Sequence, residues 1–152
     1  MLFRSDAHDC DTVIVCNPNN PDGRSFAPVA LLSATASLRA RGGMLVVDEA
    51  FADFEDRAQS VIPLLPQPGV LVLRSFGKAY GLAGLRLGFA AADRPVVANI
   101  RTTLGPWPVS GPAVAIGTAA LKDTAWRDQV QQRLARDACR LDDLLKIGRA
   151  HV

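Results

Sequence analysis

The chain has 152 residues, 49% of them hydrophobic and 21% charged, which is typical of a globular protein with one core. Seventeen Lys and Arg against fifteen Asp and Glu leave a formal charge of +2, and the basic residues are scattered, so we expect no nucleic-acid partner. Neither a run of about eighteen apolar residues nor an apolar signal core at residues 1–6 is present, which predicts a cytoplasmic protein without a membrane partner.

The three cysteines, Cys10, Cys16 and Cys139, are odd in number and lack a Cys-x-x-Cys spacing. This pattern indicates reduced thiols rather than a disulfide framework. His8, Cys10 and the aspartates beside them could be metal ligands, but no second ligand pair follows at a recognised spacing. We therefore expect a solvated turn here and no metal site.

The first predicted strand covers the β-branched residues 12–16 and leads into a cluster of turn-forming residues, 17–23. An Asn-Pro step favours extended backbone at the asparagine, which restricts where the Asn20 side chain can point. Taken alone, such a segment is more often a plain turn between a strand and a helix than a ligand site.

A single amphipathic helix is predicted over residues 28–41, with Pro28 as its first residue and Gly42-Gly43 as its stop. Its apolar face would consist of Leu31, Leu32, Thr35 and Leu38. A second apolar run at residues 44–47 then ends at Asp48. Because a carboxylate at the end of a buried strand is costly unless it meets a positive group, Asp48 is either paired or placed for a ligand.

A charged turn at residues 53–57, then a short helix or irregular crossing to Pro66, leads to a central strand at residues 70–73. Crossovers of this length predict parallel pairing with helices on the faces. A glycine-rich loop follows and carries Ser75, Lys78 and Arg86, which suit a phosphorylated ligand. The spacing does not match a P-loop, so we interpret the lysine as a nucleophile for a carbonyl rather than a phosphate ligand. A solvated loop with an unengaged lysine remains the alternative.

Residues 85–91 are predicted to form a strand that runs antiparallel to its neighbours or belongs to a sharp reversal, because the preceding loop is too short for a helical crossover. A helix is expected at residues 94–103. The Gly- and Pro-rich residues 105–112 interrupt it and mark a boundary or hinge.

Two further helices are predicted, one of small residues at 113–121 and one that begins at Asp123-Thr124. The second has apolar residues at helical spacing: Trp126, Val130, Leu134, Ala138, Leu141 and Leu145. Residues 147–152 show no helical pattern and resemble translated adapter sequence, so we exclude them from the fold.

Three strand ends thus offer polar side chains, and parallel α/β sheets gather the carboxyl ends of their strands at one ligand-binding edge. Lys78 would meet a carbonyl, Asp48 a protonated ring nitrogen, and Ser75 and Arg86 a phosphate. These are the groups of pyridoxal 5′-phosphate, and Asn20 would then lie over the ring hydroxyl.

Three segments resemble, in order and spacing, the motifs of the fold-type I, aminotransferase class I/II family of pyridoxal-phosphate enzymes: residues 17–23, 47–51 and 75–88. The resemblance implies a three-layer α/β/α fold with a mostly parallel sheet, the large domain of pyridoxal-phosphate-dependent transferases, incomplete at both ends. Residues 1–106 would belong to that domain and residues 107–146 would lead toward an absent small domain. A homodimer is also implied.

The same resemblance implies that Lys78 is the Schiff-base lysine and Asp48 the partner of the pyridinium nitrogen. Asn20 would be the ligand of the ring hydroxyl, near the substrate carboxylate, and Ser75 and Arg86 the ligands of the phosphate.

One position departs from the family pattern. Phe51 occupies the place of a tyrosine that, in many members, gives a second hydroxyl to the ring oxygen. We therefore expect the pKa of the Schiff base to be set without this second hydroxyl.

Within the family, residues 74–80 and 105–112 resemble the L-threonine-O-3-phosphate decarboxylases of cobalamin biosynthesis. Residues 81–88 are shared with the histidinol-phosphate aminotransferases, which are the alternative. Either reading implies a small phosphorylated amino compound as substrate. A non-catalytic dinucleotide-binding module is a remote alternative, since no Gly-x-Gly-x-x-Gly follows a strand.

Overall fold

The computed structural model describes residues 12–54 and 59–149. It contains a four-stranded sheet whose strands lie side by side in chain order: β1 (Thr12–Cys16), β2 (Met44–Asp48), β3 (Val70–Ser75) and β4 (Gly88–Ala92). The chain forms two compact units that divide between Gly117 and Thr118. The candidate metal ligands around His8 and Cys10 lie outside the described residues.

Strands β1, β2 and β3 are mutually parallel, and β4 is antiparallel to β3. Both predictions from the crossover lengths are confirmed. The register pairs Cys16 with Asp48, Asp48 with Leu73, and Ser75 with Gly88. The carboxyl ends of the three parallel strands therefore meet the start of β4 at one edge of the sheet.

The start of β4 differs from the predicted strand at residues 85–91. Ala83–Leu85 form a 3-10 turn, and Arg86 adopts left-handed backbone with φ +52°. Ladder pairing consequently begins only at Gly88.

The core lies on one face of the sheet. Residues 45 and 47 of β2 and 70 and 72 of β3 alternate toward it, since side chains two apart on a strand share a face, and Leu45, Val47, Val70 and Val72 are at most 1% exposed. Leu31 and Leu38 pack against this cluster from two short helices, α1 (Pro28–Ser33) and α2 (Thr35–Arg39).

The prediction of one continuous helix over residues 28–41 is thus wrong, because two short helices form there. The predicted apolar face is confirmed. The hydroxyls of Ser33 and Thr35 donate to the carbonyls of Ala30 and Leu32. Hydroxyls so placed compete with the backbone of a helix interior, and the helix is interrupted at Ala34 between them. The predicted stop is confirmed, since Gly42 has φ +75°.

Short elements connect the rest of the first unit. The crossing after β2 contains 3-10 turns at Ala52–Phe54 and Ile62–Leu64, as the predicted irregular crossing required. Helix α3 (Phe76–Ala79) follows β3 directly, and α4 (Arg94–Leu104) begins at Asp93, whose carboxylate accepts from the amide of Val96 at 3.2 Å. The break predicted after α4 is confirmed by Gly105, which has φ +76°.

Helix α5 (Gly111–Lys122) spans the division between the units. The second unit consists mainly of α6 (Thr124–Arg149), with Asp123 accepting from the amide of Trp126 at 3.0 Å, so the predicted helix start is confirmed. The helix extends to Arg149, where no helical pattern was predicted. Across the described ranges, no helix is both long and apolar enough to cross a membrane.

Candidate functional site

A cavity of about 680 Å³ opens at the edge of the sheet where β2 and β3 end, and we call it the strand-end cavity. Four of the five predicted site residues line it: Asp48, Ser75, Lys78 and Arg86. A carboxylate, a hydroxyl, an amine and a guanidinium are therefore brought into one space from positions 48 to 86. Asn20 is not among its lining residues.

The close approach of α3 to the following loop closes one side of the cavity. A Cβ atom added to Gly77 would lie 2.8 Å from the Cα atom of Ala83. Only glycine leaves room for this contact. The glycine thus allows the 3-10 turn at 83–85 to lie against α3, and this turn carries Arg86 back to the residues around Lys78.

Lys78 lies in the short helix α3, and its side chain is accessible to solvent. Its Nζ atom lies 5.4 Å from the centroid of the Phe51 ring, a distance at which the electron-rich ring face attracts an ammonium group. Within the described ranges, Nζ forms no ion pair. The amine is thus oriented by a weak contact and remains open to the cavity.

Asp48 is half-buried, and its Oδ1 atom accepts a hydrogen bond from the amide of Ala50 at 3.0 Å. It belongs to none of the ion pairs found among residues 12–54 and 59–149. Of the two roles left open for this carboxylate, the structure therefore favours placement for a ligand.

The loop after β1 is held by an asparagine that was not singled out in the sequence. Asn17 is 1% exposed, its Oδ1 accepts from the amide of Phe26 at 2.7 Å, and its Nδ2 donates to the carbonyl of Phe26 at 3.2 Å. Asn20, the predicted ligand, is exposed in the same loop. The signal for Asn17 was its position immediately after β1 and before a proline.

A second turn shapes this loop at Asp22. The hydrogen bond from the Asn19 side chain at 2.7 Å, followed by that from the amide of Arg24, lowers the pKa of the Asp22 carboxyl below its ordinary value of 3.8. The turn that carries Asn20 is therefore held by an ionised carboxylate.

An ion-pair network was also missed, and its central residue, Arg74, lines the cavity as well. Arg74 donates from Nε to Glu49 at 2.9 Å, from Nη1 to Asp53 at 2.7 Å and from Nη2 to Ser60 at 3.0 Å. Glu49 is fully buried and also accepts from the Ser60 hydroxyl at 2.7 Å and the amide of Val61 at 2.6 Å. The sequence signal for this network was a pair of opposite charges at the ends of two neighbouring apolar strands, with Glu49 after Asp48 and Arg74 before Ser75.

The family model described as aminotransferase class I and II matches residues 4–152. The chain belongs to the aminotransferase class I and II family. The predicted family is therefore confirmed.

Two curated relatives of this family member are threonine-phosphate decarboxylases. That of Pseudomonas aeruginosa is 46% identical over 136 residues, which cover 90% of this chain and 41% of the relative. That of Sinorhizobium sp. is 52% identical over 110 residues, which cover 72% of this chain and 33% of the relative. The chain thus spans less than half the length of these relatives.

A solved structure shares the fold. The histidinol-phosphate aminotransferase of Sinorhizobium meliloti, in complex with pyridoxal-5′-phosphate, aligns with a TM-score of 0.71 and 29% identity, covering 87% of this chain and 36% of that one. The predicted fold class, an α/β protein with a mostly parallel sheet that represents part of the larger transferase fold, is confirmed.

Proposed function

We propose that the full-length protein binds pyridoxal 5′-phosphate in the strand-end cavity and decarboxylates L-threonine O-3-phosphate to (R)-1-amino-2-propanol O-2-phosphate, a step of cobalamin biosynthesis. The observation that carries the proposal is that an amine, a carboxylate, a hydroxyl and a guanidinium line one cavity. The 46% and 52% identity to threonine-phosphate decarboxylases supports the choice of reaction.

The side chains match the groups of the cofactor one by one. Lys78 provides an accessible primary amine for its carbonyl carbon. Asp48 provides a carboxylate that favours the protonated form of the ring nitrogen, because an opposite charge nearby stabilises the charged state. When bound, the cofactor serves as an electron sink for the negative charge that develops at the substrate α-carbon.

Ser75 and Arg86 are proposed to bind the phosphate. The Nη1 atom of Arg86 donates to the carbonyl of Ala83 at 3.4 Å, which is long for such a bond and leaves the planar group able to bind an anion. The assignment of Asn20 to the ring hydroxyl is supported by the family motif rather than by the cavity lining. Phe51 offers no hydroxyl to that oxygen, so Asn20 is its one proposed side-chain ligand.

Transamination of histidinol phosphate is the second candidate, because the solved structure described above is a histidinol-phosphate aminotransferase. Both reactions begin with the same cofactor and lysine. Decarboxylation breaks the bond from the α-carbon to the carboxylate, whereas transamination removes the proton of the α-carbon. Histidinol phosphate carries no α-carboxylate, so the two candidates are distinguished by the substrate accepted and by the bond broken.

The test offers the purified full-length protein L-threonine O-3-phosphate and measures carbon dioxide and aminopropanol phosphate. A parallel reaction contains histidinol phosphate and 2-oxoglutarate. We expect carbon dioxide in the first reaction and no glutamate in the second. Glutamate without carbon dioxide would overturn the decarboxylase assignment and leave the proposed role of Lys78 intact.

We also propose that the protein is a cytoplasmic homodimer. Large apolar side chains of the first unit are exposed, with Trp107 at 90% and Ile14 at 67%, and such surface is commonly covered by a partner or by the rest of the chain. In the described part of the chain, Cys16 and Cys139 are free thiols, as is usual in a reducing compartment. Analytical ultracentrifugation and cell fractionation test these two points.

A further inference from the structure

We propose that the Glu49–Arg74 ion pair positions Asp48 and Ser75 for the cofactor. Loss of the pair should therefore weaken cofactor binding even in a protein that remains folded. This inference rests on the proposed function. Glu49 is the next residue after Asp48, and Arg74 is the residue before Ser75. Each partner of the pair is therefore covalently adjacent to one proposed cofactor ligand.

The pair lies at the same strand ends as the proposed ligands, and Arg74 also lines the strand-end cavity. Successive side chains of a strand point to opposite faces. Arg74 continues the buried series that contains Val70 and Val72, and Glu49 lies two residues beyond the buried Val47. Asp48 and Ser75 have the opposite parity. Glu49 is thus buried behind the end of β2, whereas Arg74 extends from Glu49 to the lining of the cavity.

The geometry restricts how far the two strand ends can move apart. The amide of Glu49 donates to the carbonyl of Leu73 at 2.9 Å. The backbones at the ends of β2 and β3 are therefore hydrogen-bonded beside the side-chain contact between Glu49 and Arg74. Three nitrogen atoms of Arg74 are engaged, and its side chain is 18% exposed. A planar guanidinium with this many partners has little freedom to rotate. A lysine at the same position would keep the positive charge but would lose the fixed planar arrangement of several N–H donors.

Within residues 12–54 and 59–149, no buried side-chain nitrogen or oxygen lacks a hydrogen-bond partner. The network is therefore complete without help from a ligand, and we infer that it holds the site before the cofactor arrives. Displacing binding groups by about 1 Å can reduce function by about a hundredfold. Loosening the pair should accordingly weaken cofactor binding by at least about tenfold.

The experiment compares Arg74→Lys with Leu38→Ala in the full-length protein. Leu38 is 1% exposed and packs in the core through α2, so its truncation lowers stability without touching the ends of β2 and β3. Pyridoxal 5′-phosphate is titrated into each protein at a temperature at which all variants are folded by circular dichroism. The ³¹P resonance of the bound cofactor is recorded as well.

We expect Arg74→Lys to weaken binding by about tenfold or more and to shift the ³¹P resonance, and Leu38→Ala to change neither. Equal affinities for Arg74→Lys and the unmodified protein would overturn the inference, and so would an equal loss in Leu38→Ala. If Arg74→Lys does not fold, Glu49→Gln is titrated in its place. An affinity of Glu49→Gln equal to that of the unmodified protein would then overturn the inference. If the unmodified protein does not bind the cofactor, the proposed function fails instead.

Discussion

Gly77 is the position at which a single added methyl group should move Lys78 and Arg86, two residues of the proposed cofactor site, apart. An added Cβ atom would lie 2.8 Å from the backbone of Ala83, and ordinary contact begins at 3.4 Å, so α3 and the turn at 83–85 must move apart by 3.4 minus 2.8, or 0.6 Å. Since Lys78 is on one side of this contact and Arg86 on the other, the movement widens the strand-end cavity.

Two opposing terms set the stability of Gly77→Ala. Overpacking costs about 1–3 kcal/mol, and the better helix propensity of alanine recovers up to about 1 kcal/mol. The net destabilisation of about 0–3 kcal/mol is small enough for the protein to remain folded. We therefore expect a modest fall in Tm together with cofactor binding weakened by about tenfold, since a shift of roughly half an ångström acts directly on two ligand groups.

Gly84→Ala is the matched control, because an added Cβ atom there has no neighbour within 4 Å and the glycine does not have positive φ. The assay titrates pyridoxal 5′-phosphate into both full-length variants by absorbance and records their Tm values. Gly84→Ala should bind as the unmodified protein does. If Gly77→Ala binds equally well, the contact between α3 and the turn does not set the position of Arg86, and the reasoning is refuted.

Three further predictions follow from the site and its loops. Lys78→Ala should abolish borohydride trapping of pyridoxal phosphate on the protein, and a trapped adduct on Lys122 or Lys146 in peptide mapping would show that the lysine is misassigned. Because the Asp22 pKa is lowered, the ionised carboxylate stabilises its turn above pH 3.8 and this contribution is lost as pH falls through the lower folded pKa. The side-chain amide resonance of Asn19 should move in that acidic window and not in Asp22→Asn. The isolated 152-residue chain should fold poorly and bind the cofactor weakly, and a cooperative thermal transition with tight binding would contradict this expectation.

The sequence by itself predicted the local elements and which polar side chains meet at one edge of the sheet. Short apolar runs ending at turn-forming residues identified β1, β2 and β3, and the lengths of the crossovers determined which pairs are parallel. The convergence of Asp48, Ser75, Lys78 and Arg86 on one cavity was predictable because strand ends in such sheets meet at one edge. These features depend on residues close together in the chain or on general rules of connection.

Only the tertiary structure decided which of two adjacent carboxylates is buried. Asp48 and Glu49 look alike in the sequence, yet Glu49 is fully buried and Asp48 lines the cavity. The difference arises because Glu49 meets Arg74, which lies 25 residues further along the chain. The same holds for Asn17, whose amide is fixed by Phe26 while Asn20 is exposed. Burial of a polar group depends on a partner brought from elsewhere in the fold, and periodicity along one strand carries no information about that partner.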